Sequence, residues 1–106
     1  MAYRYDLRIE QGADFVLTVE CDIDLTGYTA ASQVRKTYSS PLPLASASCS
    51  VDGPGKTVEI RFSAAQTSAM PAGAQAGVWD CELTAPGGTV QRLVEGRVSV
   101  SPEVTK

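Results

Sequence analysis

The sequence predicts an all-β protein: a single antiparallel β-sandwich of about seven strands spanning residues 1–106, with one short helical turn near residues 63–70. Three observations carry that expectation. Apolar and polar residues alternate with period two in run after run, the pattern of strands with one buried face. Gly, Pro and Asp clusters separate the runs at intervals that suit a sandwich or barrel. One segment, Ser63 to Gly73, breaks the alternation and carries helix signals instead.

The elements follow in order. Tyr5, Leu7 and Ile9 share the expected inner face of a first strand, with Asp6, Arg8 and Glu10 opposite. After the Gln11-Gly12 break, Phe15, Leu17, Val19 and Cys21 alternate with Val16, Thr18 and Glu20. Tyr28, Ala30, Ser32 and Val34 mark a third run, and Ala45, Ala47, Cys49 and Val51 a fourth set among serines. Val58, Ile60 and Phe62, then Trp79, Cys81 and Leu83, then Val94, Gly96, Val98 and Val100 complete the pattern. In Ser63 to Gly73, Ser63 with Gln66 three residues later spells a capping box, and Pro71 with Gly73 ends the turn. Pro86-Gly87-Gly88 between two runs reads as a hairpin turn. Seven short strands so punctuated match an immunoglobulin-like sandwich. Leu93 falls on the polar side of the last run and Arg92 on the apolar side. Either a β-bulge shifts the register there or the outer face carries an apolar contact patch.

Composition narrows the function classes. Apolar residues make up 43% and charged residues 20% of the 106, ordinary for a folded domain of this length. The net charge is −3, and the basic residues are scattered from Arg4 to Arg97, so no nucleic-acid footprint is expected. No apolar run approaches the ~20 residues of a membrane span, and no membrane partner is expected. The opening MAYRYDLRIEQ is charged and alternating, unlike a signal peptide. The chain has no histidine, which removes Ser-His-Asp and Cys-His catalysis and His-ligated metals. Cys21, Cys49 and Cys81 lack CxxC spacing and lie on apolar sides, as reduced, buried thiols would.

Two stretches invite chemical readings. Ser50-Val51-Asp52-Gly53-Pro54-Gly55-Lys56-Thr57 ends like a phosphate-binding loop. Such a loop opens a helix whose N-terminal amides hold the phosphates. Here the alternating β-formers Thr57, Val58, Ile60 and Phe62 follow, so a hairpin turn is expected and no nucleotide. Asp22 with Asp24, and Asp80 with Glu82, each share a strand face. They suit a solvated outer face better than an acid–base pair or a calcium loop, which needs more oxygen ligands nearby. No catalytic residue, metal or cofactor is expected.

Several segments resemble a family. Asp24-Leu25-Thr26-Gly27-Tyr28-Thr29-Ala30 with Gln33-Val34-Arg35 is similar to the DLTGYTA…QIR segment of small virion proteins of tailed bacteriophages. Tyr5 to Phe15 is similar to their IEQG…F opening. Phe62-Ser63-Ala64-Ala65 through Met70-Pro71-Ala72-Gly73, then Trp79-Asp80-Cys81-Glu82-Leu83, resembles LSAAxTAALPAG…YDLEL; Arg92 to Thr105 also fits. The pattern occurs as the N-terminal β-sandwich domain of baseplate upper proteins and of some tail-fibre proteins, where it docks a receptor-binding appendage. The Ser- and Ala-rich stretch from Pro41 to Ser50 matches no family pattern, and the chain ends soon after Ser101-Pro102, so a free-standing copy is expected.

The resemblance implies a non-enzymatic structural protein, assembled in the bacterial host cytoplasm into the virion. It would serve as a tail, baseplate or fibre adaptor, or as a capsid or head–tail decoration protein. Its partners would be other virion proteins, in a homo- or hetero-oligomer. Tyr3 and Arg4 in the opening arm, Tyr38, Leu42 and Pro43 in the central loop, and Leu93 are the candidate contact residues, since Tyr and Arg are favoured interface anchors. The alternative is a carbohydrate-binding module recognising the host surface. With seven aromatics, of which Phe15, Phe62 and Trp79 are expected inward, few remain to stack on sugars.

Overall fold

The computed structural model describes residues 3–105, which form two facing β-sheets. In chain order the elements are β1 (Tyr3–Arg4), β2 (Leu7–Glu10), β3 (Phe15–Glu20), β4 (Thr29–Arg35), β5 (Ala45–Ser46), β6 (Ser48–Asp52), β7 (Thr57–Phe62), α1 (Ala64–Ser68), β8 (Gly73–Thr84) and β9 (Val90–Ser101). The larger sheet runs β1, β9, β8, β4, β5, with β2 continuing β1 along β9; the smaller runs β3, β7, β6. In the lettering of immunoglobulin-like sandwiches, β3, β7 and β6 stand as B, E and D, and β4, β8 and β9 as C, F and G. The pairing is antiparallel except at β1 and β2, which both run parallel to β9, with Leu7 of β2 opposite Val98 and Ile9 opposite Val100. The cause is the turn after Glu10: it carries the chain into the other sheet, so β2 has no hairpin partner and pairs with the last strand.

The alternation read from the sequence becomes the core. Val58 and Ile60 are fully enclosed, and Phe62, Val34, Trp79, Cys81, Val98 and Val100 join them between the sheets. Burying each large apolar side chain contributes about 1.5–3 kcal/mol, an upper range because unfolded chains already hide some surface. Plugs close the two ends. At one, Asp24 Oδ1 accepts from the Thr26 amide at 2.8 Å, and Leu25 donates its amide to Gly53 O at 3.0 Å, driving the Leu25 side chain inward. At the other, Ser63 and Gln66 form the expected capping box, and α1 turns Thr67 and Met70 into the core. Gly12 donates to the Thr67 hydroxyl, which donates to Ala13 O, tying this plug to the β2–β3 turn.

Two expectations need correction. Tyr5 is 53% exposed rather than inward, because the edge strand breaks there. Its main chain stays tied: its amide donates to Glu95 O at 2.8 Å, and Asp6 Oδ1 accepts from the Arg97 amide at 2.9 Å. Leu93 is buried, so it is no outer-face contact residue. Cys81 pairs with Val94 and Glu82 with Arg92, which leaves Leu93 as an extra residue in a β-bulge. The bulge turns both Leu93 and Val94 inward and leaves Arg92 exposed.

The Asp52–Lys56 stretch is a hairpin loop between β6 and β7, as its chemistry predicts. Asp52 Oδ1 accepts from the Gly55 amide at 3.0 Å, and Lys56 takes a positive φ of 60°. A strand, not a helix, follows it.

Candidate functional site

The sequence-picked contact residues separate into two groups on opposite edges of the larger sheet. Tyr38, Leu42 and Pro43 lie in the loop between β4 and β5; Tyr3, Arg4 and Leu93 lie at the β1–β9 edge. Met1 and Ala2, the start of the expected arm, fall outside the described residues.

The β4–β5 loop is braced from below. Arg35, the last residue of β4, donates from Nη1 to Ser40 O at 2.8 Å and from Nη2 to Gln33 Oε1 at 2.9 Å. The Thr37 amide donates to Ser40 Oγ at 3.0 Å, and the Ser40 amide donates back to Thr37 O at 3.2 Å. Leu44 returns to the ladder by donating to Val34 O. On this scaffold Tyr38 is 73% and Leu42 76% exposed, while Pro43 is half-buried.

Tyr38 borders an open hollow of about 280 Å³ on the outer face of the larger sheet. Gln33, Arg35, Asp80, Glu82 and Arg92 line it with Tyr38. Strand alternation puts Asp80 and Glu82 on this face, and the bulge brings Arg92 to it. Arg92 reaches Glu95 Oε1 at 2.8 Å and Asp80 Oδ2 at 3.5 Å. Partial burial, reinforced by the charges of Glu82 and Glu95 and only partly offset by Arg92, lifts the Asp80 carboxyl above the usual range. The hollow is therefore a place where negative charge is held at some cost.

At the other edge, Tyr3 and Tyr5 overhang the open seam between the sheets. A groove of about 450 Å³ runs between them and Leu17, Val19, Glu20 and Val94. It adjoins a smaller hollow of about 150 Å³ under Tyr3, floored by Leu25, Leu83 and Leu93. Arg4 points along the rim and pairs loosely with Asp6 at 3.7 Å.

The remaining candidate groups have structural partners. Asp24 spends its carboxylate on Thr26, whose hydroxyl and amide hold its pKa below the usual range. Among the described residues no three acidic or thiol side chains gather as a metal site. Cys49 and Cys81 come close across the two sheets, and that proximity, with burial, raises the Cys81 thiol while it lowers that of Cys49. Sequence reading missed both that pairing and the seam.

No protein-family model matches the chain, and no curated protein matches it significantly.

Proposed function

We propose that the chain is a non-enzymatic structural subunit of a tailed-bacteriophage particle, docking onto another virion protein through the Tyr38–Leu42 loop and the hollow beside it. The observation that carries the docking reading is that loop. Hydrogen bonds from Arg35, Thr37, Ser40 and Leu44 hold it with a tyrosine and a leucine largely exposed. Pre-ordered anchors lose little freedom on binding, and a few such anchors supply most of an interface's energy.

The placement in a phage particle rests on the sequence resemblance. The motifs behind it occupy framework positions: Asp24 to Gly27 form one end plug and Ser63 to Met70 the other. A carbohydrate-binding reading is weaker, because Phe15 and Phe62 pack on each other at 6.1 Å and Trp79 is buried. Among the described residues, that leaves Tyr38 with no second exposed ring beside it in the hollow. Protein composition of the purified particles tests the proposal. The chain is expected there at a fixed copy number, and particles that lack it would overturn the reading.

A further inference from the structure

We propose that two copies of this chain pair edge to edge through β3, antiparallel, with Thr18 on the two-fold axis. This surface lies apart from the Tyr38 loop and goes beyond the docking reading.

The argument starts from where β3's main-chain groups point. β3 is an edge strand with β7 as its one neighbour. Cys21, just past its end, donates its amide to Lys56 O on the β7 side at 2.8 Å. Alternation along an antiparallel ladder then aims Phe15, Leu17 and Val19 at β7, and Val16, Thr18 and Glu20 at the open edge. Those three residues present amides and carbonyls ready for another strand.

The edge is also unguarded. Natural edge strands are blunted by Lys, Pro, bulges or short length. β3 is six residues of Phe-Val-Leu-Thr-Val-Glu, in unbroken register with β7. In the larger sheet the edges are protected: β5 has two residues, and β2 carries Arg8 and Glu10 outward; the smaller sheet's other edge, β6, is a shorter strand of Ser, Cys, Ser, Val and Asp. The inner face of β3 is unfinished as well. Phe15, Leu17 and Val19 are half-buried, while Val58, Ile60 and Phe62, their partners on β7, are enclosed. The 450 Å³ groove is the space left beside them.

The strand is complementary to itself. Pairing Thr18 with Thr18 of a second copy aligns Val16 with Glu20 and Leu17 with Val19. All three outward-pointing residues then exchange hydrogen bonds. The threonines form a favourable cross-strand pair, and the strand's one charge meets valine. Parallel in-register pairing would instead set Glu20 against Glu20. The antiparallel product is a continuous sheet, β6–β7–β3–β3–β7–β6. Asp14 and Asp22, which bracket the strand, oppose each other at its ends. Salt therefore tightens the pair by screening them.

Sedimentation equilibrium of the intact chain, from micromolar to ~1 mM and at two salt concentrations, tests this. Wild type is expected to show a reversible dimer that strengthens with salt. Thr18→Lys, an exposed substitution that sets like charges on the axis, is expected to be monomeric with an unchanged melting temperature. Thr18→Cys is expected to give an oxidised dimer, since paired Cα atoms lie ~5.5 Å apart, within disulfide reach. Val16→Cys is expected not to cross-link, being ~13 Å from its counterpart. A wild type that stays monomeric, a dimer that survives Thr18→Lys, or equal cross-linking at both positions would overturn the pairing. A monomer that still enters particles through Tyr38 and Leu42 would overturn the pairing alone and leave the docking reading standing.

Discussion

Trp79 donates its indole N–H to the main-chain carbonyl of Tyr5 at 2.8 Å, from the middle of the core to the break in the edge strand. The same carbonyl sits 2.1 Å from where a Cβ on residue 96 would fall, so Gly96 is what lets the strand approach. Trp79 thus pins the start of the chain. Trp79→Phe orphans a carbonyl at about 1–3 kcal/mol and shrinks a filled site. The expected result is a lower melting temperature together with faster amide exchange at Tyr5. Normal exchange there, with the same loss of stability, would show that packing alone is responsible.

Asp80 gives a pH signature. Its pKa is raised in the folded state, first by burial and then by Glu82 and Glu95, so folding favours its protonated form. That contribution is full below the unfolded carboxylate value, ~3.9, and is lost as pH rises through the folded value. At neutral pH the ionised group weighs against the fold. Asp80→Asn is therefore expected to raise the melting temperature at pH 7, with the gain shrinking in acid. A drop at pH 7 would mean that the Arg92 ion pair outweighs the burial.

The thiols are ordered by their proximity. Cys81 is pushed up by the neighbouring Cys49 and by burial, while the same closeness lowers Cys49. Burial and Asp22 raise Cys21. Mass-spectrometric alkylation of the native protein should modify Cys49 before Cys81, and Cys81→Val should slow Cys49. In denaturant three thiols per chain should react. Equal native rates at Cys49 and Cys81 would contradict that ordering.

The Gly55-Lys56-Thr57 ending should not bind nucleotide. The Gly55 amide that a phosphate would need already donates to Asp52, and no helix follows to add more. Binding at ~100 times the dissociation constant would stabilise by about 2.7 kcal/mol, easily seen in a melting curve. ATP and GTP with magnesium are expected to leave the melting temperature unchanged. A rise of several degrees would refute this.

Much of the fold was legible because period two survives burial on one face. Val58, Ile60 and Phe62 needed no context, and Ser63 with Gln66 announced its cap. Tyr5 misled because alternation continues across the strand break, which is set by Gly96 on a distant strand. Leu93 was ambiguous because one extra residue inverts parity, and only the pairing of Cys81 with Val94 resolves it. The loop between β4 and β5 was half legible: Tyr38 and Leu42 stood out, but the bracing by Arg35 is a tertiary fact. The open edge of β3 was hidden, since strand order is not written in alternation.

The most direct test of the docking account is the copy number of this protein in purified phage particles, measured for wild type and for Tyr38→Ala with Leu42→Ala. Both side chains lie in water, so the double variant should melt within about 1 kcal/mol of wild type. Its incorporation should nevertheless fall steeply, because anchors of this kind carry interface energy out of proportion to their number. A double variant that melts normally and still enters particles at full copy number would contradict the account.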